Sequence, residues 1–369
     1  MTVGLLESLK PIERGEAELT REQCCRWLRV KDPELLEHLY RAAYKVKCRE
    51  VGPVVQLRGL IEISNYCLRD CLYCGIRKSN AKTRRYALSI DEIVESAGVA
   101  ASFRYGSIVL QGGERNDKEF TDYITEVLKA IKQSYPELGI TLSLGEQSQE
   151  VYQQWFEAGA HRYLLRIESS NPELFRKIHP MEQSWASRRK ALEYIRAAGY
   201  QVGTGAMSAL PYQATEDMVS DLFFYKELSV DMIGMGPYIP HHDTPMGRDP
   251  ESYRYTKLER LRMGLTMIAL TRLLLRDVNI ASTTALQALA TDGRERGLLA
   301  GGNVVMPNVT RVKYRSGYQL YEGKPGIDEN SDASRASLER AVEAIGETLG
   351  YGQWGDSPHF AHRKAMEQG

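Results

Sequence analysis

Gln56-Leu-Arg-Gly-Leu-Ile-Glu-Ile-Ser64-Asn-Tyr-Cys67-Leu-Arg-Asp-Cys71-Leu-Tyr-Cys74 is an apolar run that empties directly into three cysteines. The run Gln56–Ser64 reads as a strand, and the spacing C-x3-C-x2-C puts the thiols on the loop that leaves it. Thiolates this close in sequence converge on one soft-metal site. Three ligands from one loop suit three irons of a 4Fe–4S cube and leave the fourth iron open to a small molecule. A closed zinc site would need a further pair of ligands nearby, yet no cysteine follows Cys74 and the next histidine is His161. Cys24, Cys25 and Cys48 form no secreted disulfide framework and lie on helical patterns, where they read as packing residues.

Working outward, strand patterns recur at Ser107–Gly112, Ile140–Gly145, Arg162–Glu168, Gln201–Met207, Met232–Tyr238, Asn279–Ala285 and Asn303–Pro307. Helical patterns separate them at Ser89–Phe103, Lys118–Ser134, Gln149–Ala158, Ser184–Ala198, Thr215–Leu228, Lys257–Leu275 and Gly293–Ala300, with residues 333–349 closing the series. Ser89-x-x-Glu92 is a capping box that opens the first of these helices. Eight strands alternating with eight helices predict a complete (β/α)8 TIM-type barrel. Residues 1–50 are expected to be a helical extension capping one barrel end, residues 51–350 the barrel, and residues 351–369 a tail.

Composition agrees with one catalytic domain. The chain has 369 residues, 43% of them hydrophobic, enough for a large core. With 48 basic and 48 acidic side chains its formal charge is zero, so nothing predicts binding to nucleic acid or to an anionic membrane. Met1–Lys10 lacks the layout of a signal peptide, and Met263–Leu275 is interrupted by Arg272 and too short to span a bilayer. The chain reads as a soluble, cytoplasmic protein.

In such a barrel, chemistry gathers where strands end. The second strand ends in Gln111-Gly112-Gly113-Glu114, in which paired glycines permit close backbone approach and a carboxylate can answer an ammonium. Arg162, Leu164, Arg166 and Glu168 share one face of the fourth strand. With Arg58, Gln111, Thr141, Ser143, Thr283 and Thr284 on other strands, they predict a polar, anion-binding interior. His241-His242-Asp243 and His359-x-x-His362 are not read as metal sites, the latter because its pattern holds no carboxylate.

Cys67-Leu-Arg-Asp-Cys71-Leu-Tyr73-Cys74 resembles the signature of radical S-adenosylmethionine (SAM) enzymes. The resemblance implies one 4Fe–4S cluster held by Cys67, Cys71 and Cys74, whose open iron chelates SAM. It also implies that Tyr73 lies near the adenine and that Gly112, Gly113 and Glu114 hold the methionine amino group. Thr-Leu-Ser-Leu-Gly-Glu (141–146), Arg162 to Glu168, Met-Gly-Pro-Tyr-Ile-Pro-His-His-Asp-Thr-Pro (235–245) and Asn-Val-Val-Met-Pro-Asn (303–308) resemble the HydE group of FeFe-hydrogenase maturases, from about residue 55 to the C-terminus. Carried over, Glu168 and Arg188 would hold SAM, with Ser143 and Gly317 beside the nucleoside. Arg58, Gln111, Thr141, Arg162, Arg166, Thr283, Thr284, Tyr318 and Tyr321 would line the substrate and anion sites. The substrate so implied is an organometallic iron–cysteine species from the companion maturase HydG. HydF and a reductant such as ferredoxin or flavodoxin are the other implied partners. Two features depart from the group. Gly326, Ser334 and Ser337 stand where some members have cysteines for a second cluster, so none is expected, and Tyr212 stands where a glycine is usual. A methylornithine-synthase-like mutase and a non-catalytic iron–sulfur scaffold are the alternatives. A biotin-synthase-like chain would need further barrel cysteines.

Overall fold

The computed structural model describes residues 2–368, and its frame is a ring of parallel strands. In chain order the elements are α1 (Thr2–Arg14), α2 (Arg21–Arg29), α3 (Pro33–Glu50), β1 (Val54–Ser64), α4 (Ile90–Ser102), β2 (Ser107–Gly112), α5 (Lys118–Ser134), β3 (Gly139–Ser143) and α6 (Gln149–Glu157). There follow β4 (Arg162–Leu164), α7 (Pro172–Ile178), α8 (Trp185–Ala197), β5 (Gln201–Thr204), β6 (Met207–Ser208), α9 (Thr215–Glu227), β7 (Met232–Ile233) and β8 (Gly236–Pro237). The chain ends through α10 (Lys257–Leu275), β9 (Asn279–Ile280), α11 (Thr284–Leu289), α12 (Gly293–Leu299), β10 (Val304–Val305), α13 (Val312–Arg315), α14 (Ser331–Ala344), β11 (Thr348–Gly350) and α15 (Pro358–Gln368).

The strand order is β10-β1-β2-β3-β4-β5-β7-β9, and a parallel bridge between Ala281 and Val304 joins the last strand to the first. That closure makes the expected (β/α)8 barrel. Several strands are shorter than the sequence predicts. The fourth ends at Leu164, and the one expected to reach Ala285 stops at Ile280, with Thr284 opening α11 instead. Beyond the ring, β6 and β8 pair as a small parallel ribbon that extends the barrel wall.

Helix starts follow their caps. Ser89 Oγ accepts the Glu92 N–H and the Glu92 carboxylate accepts the Ser89 N–H, completing the box that opens α4. Thr256 and Glu259 do the same for α10. That helix is buried nearly all round, including Arg272, because α3 covers the face turned away from the barrel. Among the described residues no helix is long and apolar enough to cross a membrane.

The barrel floor is closed from the far end of the chain. The Gly355 carbonyl accepts from Arg58 Nη2 at 3.2 Å and from Asn279 Nδ2 at 2.8 Å. Asp356 pairs with Arg162 Nη1, and Ser357 N donates to Gln201 Oε1 at 3.2 Å. The tail after it is pinned by Asp277, which accepts from His359 at 3.0 Å and His362 at 2.8 Å. The pair of histidines therefore does have a carboxylate partner, one the local pattern could not reveal.

Candidate functional site

At the strand-end mouth of the barrel lies a cavity of about 330 Å³, lined by Cys67, Cys71, Cys74 and Tyr73 on the loop after β1. All three thiols are free. Burial pushes each of them up, Cys71 well above the usual thiol range and Cys74 to about 12. Thiolates therefore form here only beside a compensating metal charge. A single zinc, with sulfur at about 2.3 Å, would hold its ligand sulfurs about 3.8 Å apart. Among the described residues the only trio of metal-ligating side chains whose donor atoms all lie within 4.8 Å of one another is His241, His242 and Asp243. Cys67, Cys71 and Cys74 are not such a trio, so their sulfurs do not all lie as close together as one zinc ion would hold them.

Gly113 decides how the thiol loop sits. Its N–H donates to the Ser64 carbonyl at 2.9 Å, and Leu68 N donates to the Glu114 carbonyl at 2.8 Å. A Cβ on Gly113 would stand 2.9 Å from Cys67 Cβ and collide with the Tyr66 carbonyl. Of the glycine pair expected to approach a ligand, Gly113 thus lies first against the cysteine loop itself, while Gly112 backs on Leu144 and Ile63.

Three carboxylates and three guanidiniums meet on this wall. Glu114 pairs with Arg69 and stands 3.7 Å from Arg188 Nη2. Arg188 Nε donates to Glu146 Oε1 at 2.5 Å and Nη1 to the Arg166 carbonyl at 2.9 Å, while Ser187 Oγ donates to Glu146 Oε2 at 2.9 Å. These partners hold the Glu146 carboxyl below its ordinary value although burial opposes them. Arg166 Nη2 and Glu168 Oε2 lie 3.0 Å apart, yet neither atom has a hydrogen bond within the protein. Burial raises the Glu168 carboxyl, Arg166 and Arg188 lower it, and burial wins. Glu168 sits at φ 64°, in the left-handed region that a non-glycine residue enters at a cost of about 1–2 kcal/mol. With the backbone so turned, its carboxylate lines the cavity, where Oε2, ion-paired with Arg166 but without a hydrogen bond, can accept from hydroxyl donors.

Tyr73 is set by His179. Burial pushes the imidazole down to about 3, so it is neutral. Its Nδ1 faces the Phe175 carbonyl at 2.9 Å and must donate there, which leaves the Nε2 lone pair to accept the Tyr73 hydroxyl at 3.2 Å. The ring of Tyr73 thereby becomes a fixed flat wall beside the thiols.

Gln111, Ser143, Tyr318, Tyr321, Thr283 and Thr284 also reach the cavity. Thr284 and Tyr321 share a hydrogen bond of 2.7 Å, and buried Thr283 Oγ1 has no partner. Both threonines stand at the start of α11 rather than on a strand. Leu60, Leu164, Met207 and Met306 supply apolar wall.

Four expected site residues lie elsewhere. Arg58, Thr141 and Arg162 are fully buried at the floor, where Arg162 Nε donates to Thr141 Oγ1 at 3.0 Å and Asp356 supplies the counter-charge. Gly317 lies outside the lining, backed on Tyr86, with its carbonyl accepting from Asn65. Sequence reasoning in turn missed Arg69, Glu146, His179 and Gln183. Cys71 Sγ lies 3.4 Å from Gln183 Oε1, and the Gln183 Nε2 is buried without a partner. Glu146 had a signal: Gly145-Glu146 follows β3 as Gly113-Glu114 follows β2. Tyr212, where a glycine is usual, sits at φ 64°, a conformation glycine adopts freely, and its hydroxyl bonds Asp249.

Residues 61–224 match the model of the radical SAM superfamily. Over 349 residues, covering 95% of this chain and 96% of the relative, the sequence is 41% identical to the [FeFe] hydrogenase maturase subunit HydE of Thermotoga maritima. It is 28% identical to the 3-methylornithine synthase of Methanosarcina acetivorans, over 75% of this chain and 76% of that one. In fold it is similar to the crystal structure of methylornithine synthase (PylB), with a TM-score of 0.80 at 24% identity over 97% of this chain and 99% of that one. The maturase HydG shares the fold at a TM-score of 0.79 and 18% identity, over 95% of this chain and 77% of that one.

Proposed function

Because the chain belongs to the radical SAM superfamily and, within it, to the family of the hydrogenase maturase HydE, we propose that it acts in assembling the diiron site of FeFe-hydrogenase. The observation that carries the reading is the meeting of three free thiols, an unpartnered glutamate oxygen and a buried arginine around one cavity. When bound, a 4Fe–4S cluster and SAM supply an electron and a 5′-deoxyadenosyl radical.

The protein's own part is to hold and shield. Cys67, Cys71 and Cys74 ligate the cluster, and Tyr73, fixed by His179, forms a face for the adenine. Glu168 Oε2 accepts ribose hydroxyls, and Arg188 offers a guanidinium to the methionine carboxylate in competition with Glu146 and Glu114. The apolar wall and the polar pair Thr284–Tyr321 close the far side against water. We infer one cluster only: the remaining cysteines lie on α2 and α3, and Gly326, Ser334 and Ser337 offer no thiolate. On this reading residues 1–50 support the barrel of residues 51–350, and residues 351–369 seal its base. The substrate is an organometallic iron–cysteine species passed on from HydG, with HydF and a ferredoxin or flavodoxin as transient partners in the cytoplasm.

Anaerobic reconstitution tests this. About four irons per chain, an EPR signal of the reduced cluster altered by SAM, and dithionite-dependent release of 5′-deoxyadenosine are expected. A cluster indifferent to SAM would refute the enzyme reading, and conversion of lysine in place of the HydG product would refute the maturase reading.

A further inference from the structure

After β8 the chain continues beside the cavity as Pro240-His241-His242-Asp243-Thr244-Pro245. Thr244 Oγ1 donates to the His241 carbonyl at 2.7 Å and accepts the Gly247 N–H at 2.9 Å, so the turn is held from within. It presents one donor atom from each of His241, His242 and Asp243 within 4.8 Å of the other two. The two imidazole rings stack with centroids 5.1 Å apart. Their surroundings ask for a cation. His242 has a carboxylate on each nitrogen: Glu322 Oε1 lies 2.9 Å from Nδ1, and Asp243 Oδ2 lies 3.2 Å from Nε2. A neutral imidazole carries one N–H and satisfies one carboxylate; the other contact needs a further positive charge. A proton would supply that charge but would gain nothing from a second imidazole, whereas a metal ion gains a ligand from it. His241 Nδ1 accepts the Asp243 N–H at 3.2 Å, a bond that an ion at this nitrogen would replace. The other Asp243 oxygen is taken by Lys82 Nζ at 2.5 Å, which turns Oδ2 toward His242.

We propose that His241, His242 and Asp243 form a site for one divalent first-row transition-metal ion beside the cavity, separate from the cysteine site, with Glu322 accepting the His242 Nδ1–H and so orienting that ring. Two imidazoles and one carboxylate suit iron, cobalt, nickel or zinc and disfavour the hard ions magnesium and calcium. The position gives the ion a purpose. Glu322 lies on the segment of residues 319–324, whose Tyr321 and Leu320 wall the cavity, and His241 packs on Gly75, the residue after Cys74. Gly75 N also donates to the Leu320 carbonyl at 2.9 Å. A bound ion therefore fastens the segment of residues 319–324, the turn after β8 and the cysteine loop together over the cavity.

The test is equilibrium dialysis of the cluster-loaded protein against Co²⁺, with bound cobalt, iron and sulfide counted by elemental analysis. One saturable Co²⁺ per chain is expected. His242→Gln and Asp243→Asn should each weaken it about tenfold or more while cluster iron and sulfide stay at the unsubstituted level. His242 is 60% exposed, so its replacement leaves the fold intact, and the unchanged cluster content confirms this. Absence of saturable cobalt binding, or binding that survives either substitution, overturns the proposal.

Discussion

Asp221 on α9 is a carboxyl with no access to solvent, and its titration predicts a pH-dependent stability that an isosteric change removes. Its Oδ1 accepts the Ser170 N–H at 2.6 Å and its Oδ2 has no partner. Burial, with the nearby Asp217 and Glu168 charges adding to it, pushes the carboxyl from 3.8 up to about 7, against the lowering effect of Ser170. Between those two values the unfolded chain has lost the proton and the folded chain keeps it. The folded state then binds more protons, so stability falls as pH rises from about 4 to about 7 and is level beyond. The difference, 7 − 3.8 = 3.2 units at about 1.4 kcal/mol each, is roughly 4 kcal/mol. Asp221→Asn keeps the acceptor for Ser170 and cannot ionise. Its stability relative to the unsubstituted protein should therefore climb by about 2 kcal/mol between pH 5 and pH 7 and level off by about pH 8. Urea unfolding followed by tryptophan fluorescence at pH 5, 6, 7 and 8 measures this. Any fixed cost of the amide beside an unpartnered site shifts all four points equally, so the slope is the readout. A difference that is constant with pH, or that shrinks as pH rises, would refute the argument.

Other substitutions probe the remaining parts. Gly113→Ala puts a methyl group against the Tyr66 carbonyl and Cys67 Cβ, and should give a folded protein that retains far less iron after reconstitution. Glu168→Gln should leave the iron content unchanged while weakening SAM binding by about tenfold or more in equilibrium titrations, the scale of a lost charge-assisted hydrogen bond. Asp356→Asn strips the counter-charge from Arg162 at the floor. With the carboxylate 43% exposed, the loss should be about 1–3 kcal/mol in thermal or urea unfolding, below that of a fully buried pair. Because Arg162 and His161 hold the Asp356 carboxyl below its ordinary value despite partial burial, this contribution is present above about pH 4. It disappears as pH falls through the folded value, so the variant and the unsubstituted protein should converge in acid.

The placement of the two strand-four arginines shows what a sequence can and cannot say about a barrel. Period-two alternation predicts Arg162, Leu164, Arg166 and Glu168 on one face, although the strand ends at Leu164, and the helical patterns give the starts of α4, α5 and α10 to within a residue. Face, however, is not depth. At about 3.3 Å per residue, Arg162 and Arg166 differ by roughly 13 Å along the extended chain, enough to separate floor from cavity. Which end is sealed depends on Asp356, 194 residues further on, and no local pattern carries that information. The same holds for Arg188, whose partner Glu146 lies 42 residues before it. Arg58 and Arg162 therefore belong to the floor, where the tail supplies the Gly355 carbonyl and the Asp356 carboxylate, and Arg166 belongs to the mouth beside Glu168. The mouth keeps Glu168 Oε2, Arg166 Nη2, Gln183 Nε2 and Thr283 Oγ1 without hydrogen bonds around one cavity, the first two held only as an ion pair 3.0 Å apart. Leaving Gln183 Nε2 and Thr283 Oγ1 without hydrogen bonds costs about 1–3 kcal/mol each, and a bound molecule that offers them matching groups offsets it.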